Sequence, residues 1–341
     1  MKPRKVLVTG ATGHIGSTLC RALLQSGMEV RALVRPTSER DALAGLELDV
    51  VEGDVLDQRS FVEAATDCDV IFHNAAVFAL HPPASEAMSR VAVEGARHAV
   101  VAAASALARL VFTGSVVAVG FGSRPDQLLD ETAWASGLTV PYYRAKVESE
   151  QVALESAEQL GVDLVRVLPT LVLGPGDHRV TPSSRVLVDM LRGKGATFDG
   201  GVNVIDVRDA ASGMIAAAER GRSGGRYILG GENVLVRDLG AIVSRVTGAP
   251  VPHLGMPRWA FSAMAAVMEL VATRGSPPAI TRAVVHDVLG KYGWYDITRA
   301  RTELGLATRP IIETVRDAAR FFQSMRVVGP LPPMANAEAS C

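Results

Sequence analysis

The chain has 341 residues, 48% of them hydrophobic, and a formal net charge of −1. That is enough apolar material for a large core, while the near-neutral balance leaves no basic field to collect nucleic acid or an anionic membrane surface. No uninterrupted run of about 18 apolar residues suits a bilayer span.

Three cysteines, Cys20, Cys68 and Cys341, share no metal-ligand spacing, so neither a metal site nor a disulfide framework is expected. The basic start, Met1 to Lys5, leads into an apolar run that Gly10, Gly13 and Gly16 interrupt at once. This reads as folded sequence rather than a secretory signal and points to the cytoplasm.

The first half alternates short apolar runs with amphipathic stretches. Strands are predicted at 5–9, 30–34, 49–52, 70–73, 110–113 and 163–168, and helices at 13–26, 38–43, 59–65, 84–106 and 142–160. Such alternation implies a parallel sheet covered by helices on both faces. Ligands of such sheets bind beyond the carboxyl ends of the strands. After Thr170 the pattern loosens. Gly174-Pro175-Gly176 marks a turn, short strands are predicted at 204–207 and 226–229, and helices at 209–220, 236–247, 257–273 and 311–325. The predicted fold class is α/β. Residues 1–169 and about 203–230 form a doubly wound parallel sheet. A smaller, mostly C-terminal α+β substrate lobe takes about 170–202 and 231–326. The stretch 327–341, rich in Pro and Ala without periodicity, reads as a disordered tail.

The segment Thr9-Gly10-Ala11-Thr12-Gly13-His14-Ile15-Gly16 runs from the first strand into the first helix. Gly10 permits a tight turn, Gly13 lets the backbone approach a pyrophosphate, and Gly16 lets the helix pack closely. The phosphates then meet free N–H groups at the helix N-terminus. The glycine triplet alone is a weak signal; its position between a buried strand and a helix makes it a dinucleotide loop. The second strand ends without the carboxylate that would hold the ribose hydroxyls of NAD. Arg35 stands there instead, offering a planar fork to a 2′-phosphate, with Ser38 or Arg40 as helpers; the plain alternative is a solvated surface arginine. NADP(H) is therefore the expected cofactor, with NAD(H) as the alternative. Asp54, followed by Val55 after the third strand, either accepts from the adenine amino group or caps the next helix.

Tyr142 and Lys146 are four positions apart on a predicted helix and share a face. A free phenol has a pKa of about 10; a nearby ammonium and an oxidised nicotinamide both favour the phenolate and lower it. Ser115, just after the fifth strand, can hydrogen-bond a substrate oxygen as charge shifts to it. In this order on these elements, the three residues form an acid/base constellation.

These pieces resemble the extended short-chain dehydrogenases/reductases over residues 5 to about 322. The resemblance is carried by the TGATGHIG loop, His73-Asn74-Ala75-Ala76, Thr113-Gly114-Ser115, Tyr142-Tyr143-Arg144-Ala145-Lys146 and Leu168-Pro169-Thr170. Leu33-Val34-Arg35-Pro36-Thr37-Ser38 and the stretch from Arg226 to Asn233 are similar to the dihydroflavonol-reductase-like branch, a neighbourhood that includes hopanoid-associated sugar epimerases. The resemblance implies a Rossmann core, Tyr142 as acid/base, Lys146 as its partner and Ser115 as the oxyanion donor. Cofactor contacts are implied at Ala75, Ala76, Pro169, Thr170 and Leu171, beside the glycine loop. Two departures stand out: Ala92 where relatives have Asn, and Gly114 where many have Ser.

The expected reaction is reduction of a ketone, or oxidation of a secondary alcohol, on a hydrophobic small molecule. Phe78, Val116 and Val117 are candidate substrate contacts, with Val77, Leu80 and the 257–273 helix as further apolar candidates. A nucleotide-sugar epimerase or dehydratase with retained cofactor is the alternative; it would need phosphate-binding groups, for which Arg179, Arg185 and Arg208 are candidates. A non-catalytic NADP-sensing protein is the third reading. The expected partner is a small molecule, not nucleic acid, and the chain is read as a monomer or homodimer.

Overall fold

In the computed structural model the described residues are 4–76, 84–194, 197–248, 250, 257–271 and 280–331. The elements, in order, are β1 (Lys5–Thr9), α1 (His14–Gln25), β2 (Glu29–Val34), β3 (Asp49–Glu52), α2 (Gln58–Ala65), β4 (Val70–His73), α3 (Ala84–Ala106), β5 (Arg109–Thr113), α4 (Pro141–Leu160), β6 (Leu164–Pro169), β7 (Leu171–Leu173), α5 (Pro182–Leu191), β8 (Gly201–Asp206), α6 (Val207–Arg220), β9 (Arg226–Leu229), β10 (Glu232–Leu235), α7 (Val236–Thr247), α8 (Arg258–Val271), α9 (Arg282–Val288), α10 (Thr298–Leu304) and α11 (Ile311–Ser324).

Seven strands form a wholly parallel sheet in the order β3-β2-β1-β4-β5-β6-β9. Its strands are apolar on both faces, as a sheet covered twice requires. Val6, Val8, Val70, Phe72, Val111, Val165 and Val167 pack in the cluster that includes α1 and α6. Their alternating neighbours Leu7, Ile71, Leu110, Phe112 and Leu164 pack in the cluster that includes α2, α3 and α4. The period of two in these sequences thus assigns each residue to a layer. The strand order reverses between β1 and β4, and the crevice outside that switch point is where an open α/β sheet binds its ligand.

A second sheet, β10-β8-β7, pairs β8 antiparallel with β10 and parallel with β7. It packs with α5, α7 and α11 around Leu187, Val243, Val315 and Phe322. Three expectations change here. β8, read from the sequence as part of the doubly wound sheet, is the central strand of the small one; the chain returns to the large sheet only with α6 and β9. The predicted helix at 38–43 is a single 3₁₀ turn at Asp41–Leu43, because so short a stretch after Pro36 does not propagate a helix. The packed chain also runs past residue 326: Val328 is buried, and Val327 and Leu331 pack against the same cluster. The stretch 332–341 lies outside the described residues. β7, β10 and the proline-led α5 escaped prediction, since strands of three and four residues carry too little periodicity.

Candidate active site

The glycine loop folds as its spacing requires. Gly10 has φ +66°, and a Cβ on it would stand 2.8 Å from the backbone of Asn74 and Ala75. On Gly16 a Cβ would lie 2.1 Å from the Gly10 carbonyl oxygen, so only glycine lets α1 start this close to the turn. Gly13 is the N-cap of α1 and has no side chain to satisfy the first-turn N–H groups. Those donors are left for an anion. Thr9 Oγ1, 3.0 Å from His73 Nδ1, accepts from the Ala75 N–H at 3.2 Å and so ties the ends of β1 and β4 together.

Between these ends runs a groove lined by Gly10, Thr12, Gly13, Arg35, Ser38, Asp54, Val55, Ala75 and Ala76, which the sequence reading named for a cofactor, and by Val34, Asn74, Val91 and Arg179. Arg35 is exposed, and among the described residues its guanidinium meets no carboxylate. Arg40 is drawn away to Glu52 at 2.5 Å. Asp54 Oδ1 accepts from the Leu56 N–H at 2.9 Å and closes a local turn, while the cap of α2 is Asp57. His14 turns its ring out of the groove: Nε2 lies 3.1 Å from the Pro175 carbonyl oxygen, and burial lowers its pKa. Its contribution to an anion, and that of Ile15, is the backbone N–H.

The chemistry-bearing residues gather at the carboxyl end of β5. Pro141 opens α4 at a position where its missing N–H costs nothing, and the next residue is Tyr142. One turn on, Lys146 is buried, and its Nζ donates to the Thr113 carbonyl at 3.3 Å. Thr113 Oγ1 in turn donates to Asn74 Oδ1 at 2.6 Å. Ser115 caps a short helical turn, its Oγ accepting from the Val117 N–H at 3.4 Å. The hydroxyl proton is therefore still available to donate. Enclosure dominates the acid/base pair. It brings Lys146 down to about 8 against the opposing pull of Glu150, and it pushes Tyr142 up to about 12. In the chain itself desolvation of the ring sets the direction for Tyr142; the expected lowering belongs to a site that holds an oxidised nicotinamide.

Gly114 has a packing reason. A Cβ there would lie 2.6 Å from Cδ2 of the buried Leu168. Nothing in the structure accounts for Ala92. Pro169 and Thr170 are buried at the end of β6, and Thr170 Oγ1 finds no hydrogen-bond partner among the described residues. Leu171 begins β7 and packs toward the second sheet. Val116, expected to face a substrate, is instead buried with Val119, Leu168 and Tyr295. Val117 is half-buried beside Ser115, and Phe78 lies outside the described residues with Val77 and Leu80. Of the arginines named for a sugar nucleotide, Arg208 is held at 2.8 Å by both Asp206 and Asp317, and Arg185 is exposed on α5. In α8, Phe261 and Met264 pack in a small core, whereas Trp259 is exposed.

This strand order, a left-handed Gly10 and a groove at the switch point define a Rossmann-type dinucleotide-binding protein. The glycine cradle that any Cβ would fill, the free first-turn N–H groups and the orphaned Thr170 hydroxyl all fit a nicotinamide dinucleotide.

The chain belongs to the NAD dependent epimerase/dehydratase family, whose profile matches residues 6–230, within the extended short-chain dehydrogenases/reductases. It is 36% identical to a Synechocystis sp. protein named "Putative dihydroflavonol 4-reductase", over 93% of this chain and 94% of the relative. It is 31% identical to sterol demethylase protein B of Methylococcus capsulatus, over 94% and 99%. Among solved structures, that of gox2253 superposes with a TM-score of 0.83 at 33% identity, covering 95% of this chain and 99% of that one.

Proposed function

We propose that the chain is an NADP(H)-dependent reductase that converts a carbonyl on a hydrophobic small molecule to a secondary alcohol, and that it runs the reverse oxidation with the oxidised cofactor. The observation that supports this reading is Lys146, one turn of α4 after Tyr142, donating from Nζ to the Thr113 carbonyl at the end of β5, two residues before Ser115. The name of the Synechocystis relative supports a reductive reaction, and that of the Methylococcus relative supports an apolar, sterol-like substrate.

The bound nicotinamide would supply or accept the hydride. The rest falls to the chain. The Ser115 hydroxyl donates to the substrate oxygen and so stabilises charge as it develops there. Tyr142, held protonated by its surroundings, hands its proton to that oxygen. Lys146, close to neutral pH in its affinity for protons, eases the tyrosine through its transient charge and relays a proton toward solvent. Arg35, standing where a ribose-binding carboxylate would be, selects the 2′-phosphate. A sugar-nucleotide reading finds less support, because Arg208 is neutralised by two carboxylates and Arg179 belongs to the cofactor groove.

The test is cofactor consumption across a panel of bulky apolar ketones, with NADPH and NADH in parallel. Oxidation of NADPH in strong preference to NADH is expected. Preference for NADH would remove the role of Arg35, and no consumption of either would remove the reductase.

A further inference from the structure

Arg179 lies far from the glycine loop in sequence, in the link between β7 and α5. The fold lays that link across the start of α1. Asp177, almost fully buried, organises it by accepting from the N–H groups of Arg179 (3.3 Å) and Thr181 (2.8 Å) and from Thr181 Oγ1 (2.6 Å). His14 anchors it from below through the Pro175 carbonyl. The Arg179 side chain then extends over the groove. Its Nη2 donates to the Glu39 carbonyl at 3.2 Å and reaches Thr12 Oγ1 at 3.5 Å. Its nearest carboxylate, Glu39, is 4.0 Å away and 80% exposed, so that attraction is heavily screened.

We propose that Arg179 is the second arginine of the 2′-phosphate site, closing over the phosphate from the side opposite Arg35, with the Ser38 hydroxyl between them. This rests on the reading of the groove as a dinucleotide site. Both arginines and Ser38 line that one groove, and the carboxylate residue in it, Asp54, already accepts from Leu56. A phosphate dianion offers Arg179 a charged, bidentate acceptor in place of one backbone carbonyl. The pyrophosphate has its own donors at the N-terminus of α1 and makes no such demand. Because Arg179 is rooted in the link from the second sheet, the 2′-phosphate would also clamp that sheet's β7–α5 link onto the glycine loop. Cofactor choice and the shape of the substrate side are thereby connected through one side chain.

The experiment is calorimetric titration of the purified protein with adenosine 2′,5′-bisphosphate and with adenosine 5′-monophosphate, for wild type, Arg179→Gln and Arg179→Lys. Melting curves check that the variants fold; Arg179 is exposed, so they should. The expected result is a loss of about tenfold or more in affinity for the bisphosphate in Arg179→Gln. Arg179→Lys should recover part of it, and the monophosphate should bind all three proteins within about twofold. Equal weakening of both nucleotides would move Arg179 to the 5′ side and overturn the proposal, as would no weakening of either. If neither nucleotide binds wild type, the dinucleotide reading of the groove falls with it.

Discussion

Two pairs of arginines show how differently this fold uses the same side chain. Beneath the site, Arg226 and Arg166 converge on Glu150, which is completely buried: Arg226 Nε lies 2.6 Å from it and Arg166 Nη1 3.5 Å. Arg226 also donates to the carbonyls of Glu131 and Ala133 and lies 4.0 Å over the Trp134 ring. At the rim, Arg35 and Arg179 have no buried carboxylate and lean on solvent and backbone oxygens. Desolvated guanidinia paired with a buried carboxylate hold elements together; wet ones without such a partner can take an anion. Lys146 stands between the two regimes, one helical turn from Glu150 and one from Tyr142.

If that division is right, chemistry and stability should separate on substitution. The largest effect is expected for Tyr142→Phe, which removes one phenolic oxygen. Turnover should fall by about 10² to 10⁴-fold, while nucleotide affinity and the denaturation midpoint stay near wild type. Full activity in that variant would end the assignment. Glu150→Gln should act chiefly on stability. It strands two buried arginines, which costs about 3–5 kcal/mol in comparable cases, measured by denaturant unfolding. A change below about 1 kcal/mol would mean that the ionic layer is not what holds α4 to β6 and β9.

A smaller effect sharpens the comparison on the same face of the sheet, under α2 and α3. His73 sits between the rings of Phe61 and Phe112 at 5.8 and 5.7 Å, and burial lowers its pKa from 6.5 to about 3. Between those values the unfolded chain binds a proton that the folded chain refuses. Stability should therefore fall as pH drops from about 6.5 toward 3, by at most about 1.4 kcal/mol per pH unit for this group. Burial lowers His14 in the same sense. His73→Phe keeps the ring stack and should flatten the loss of melting temperature between pH 7 and pH 4. An unchanged slope would assign the acid sensitivity elsewhere.

Much of this was readable from short stretches. Val6, Leu7 and Val8 announce a strand buried on both faces, and Gly10, Gly13 and Gly16 announce the turn after it, because each signal lies within one element and its cap. Tyr142 and Lys146 are legible for the same reason: helical geometry alone puts them on one face. Val116 misled because it follows Ser115 directly, yet the helical turn that Ser115 caps folds Val116 inward against Leu168 and Tyr295. Of the two readings of Asp54, adenine acceptor or helix cap, the cap falls to Asp57, while Asp54 closes a turn through the Leu56 N–H and stays on the groove wall.

By itself, the sequence determined the parallel sheet, its glycine turn and the Tyr142–Lys146 pair, since all three depend on local backbone geometry and on periodicity. Only the tertiary structure decided which arginines are free. Arg208 reads as an available cation until Asp206, two residues before it, and Asp317, on the distant α11, close on it. Arg179 reaches the groove because the β7–α5 link crosses α1, a contact between residues more than 160 positions apart from Thr12. Charge neutralisation depends on distance in space, and distance in space is the one quantity a linear pattern does not carry.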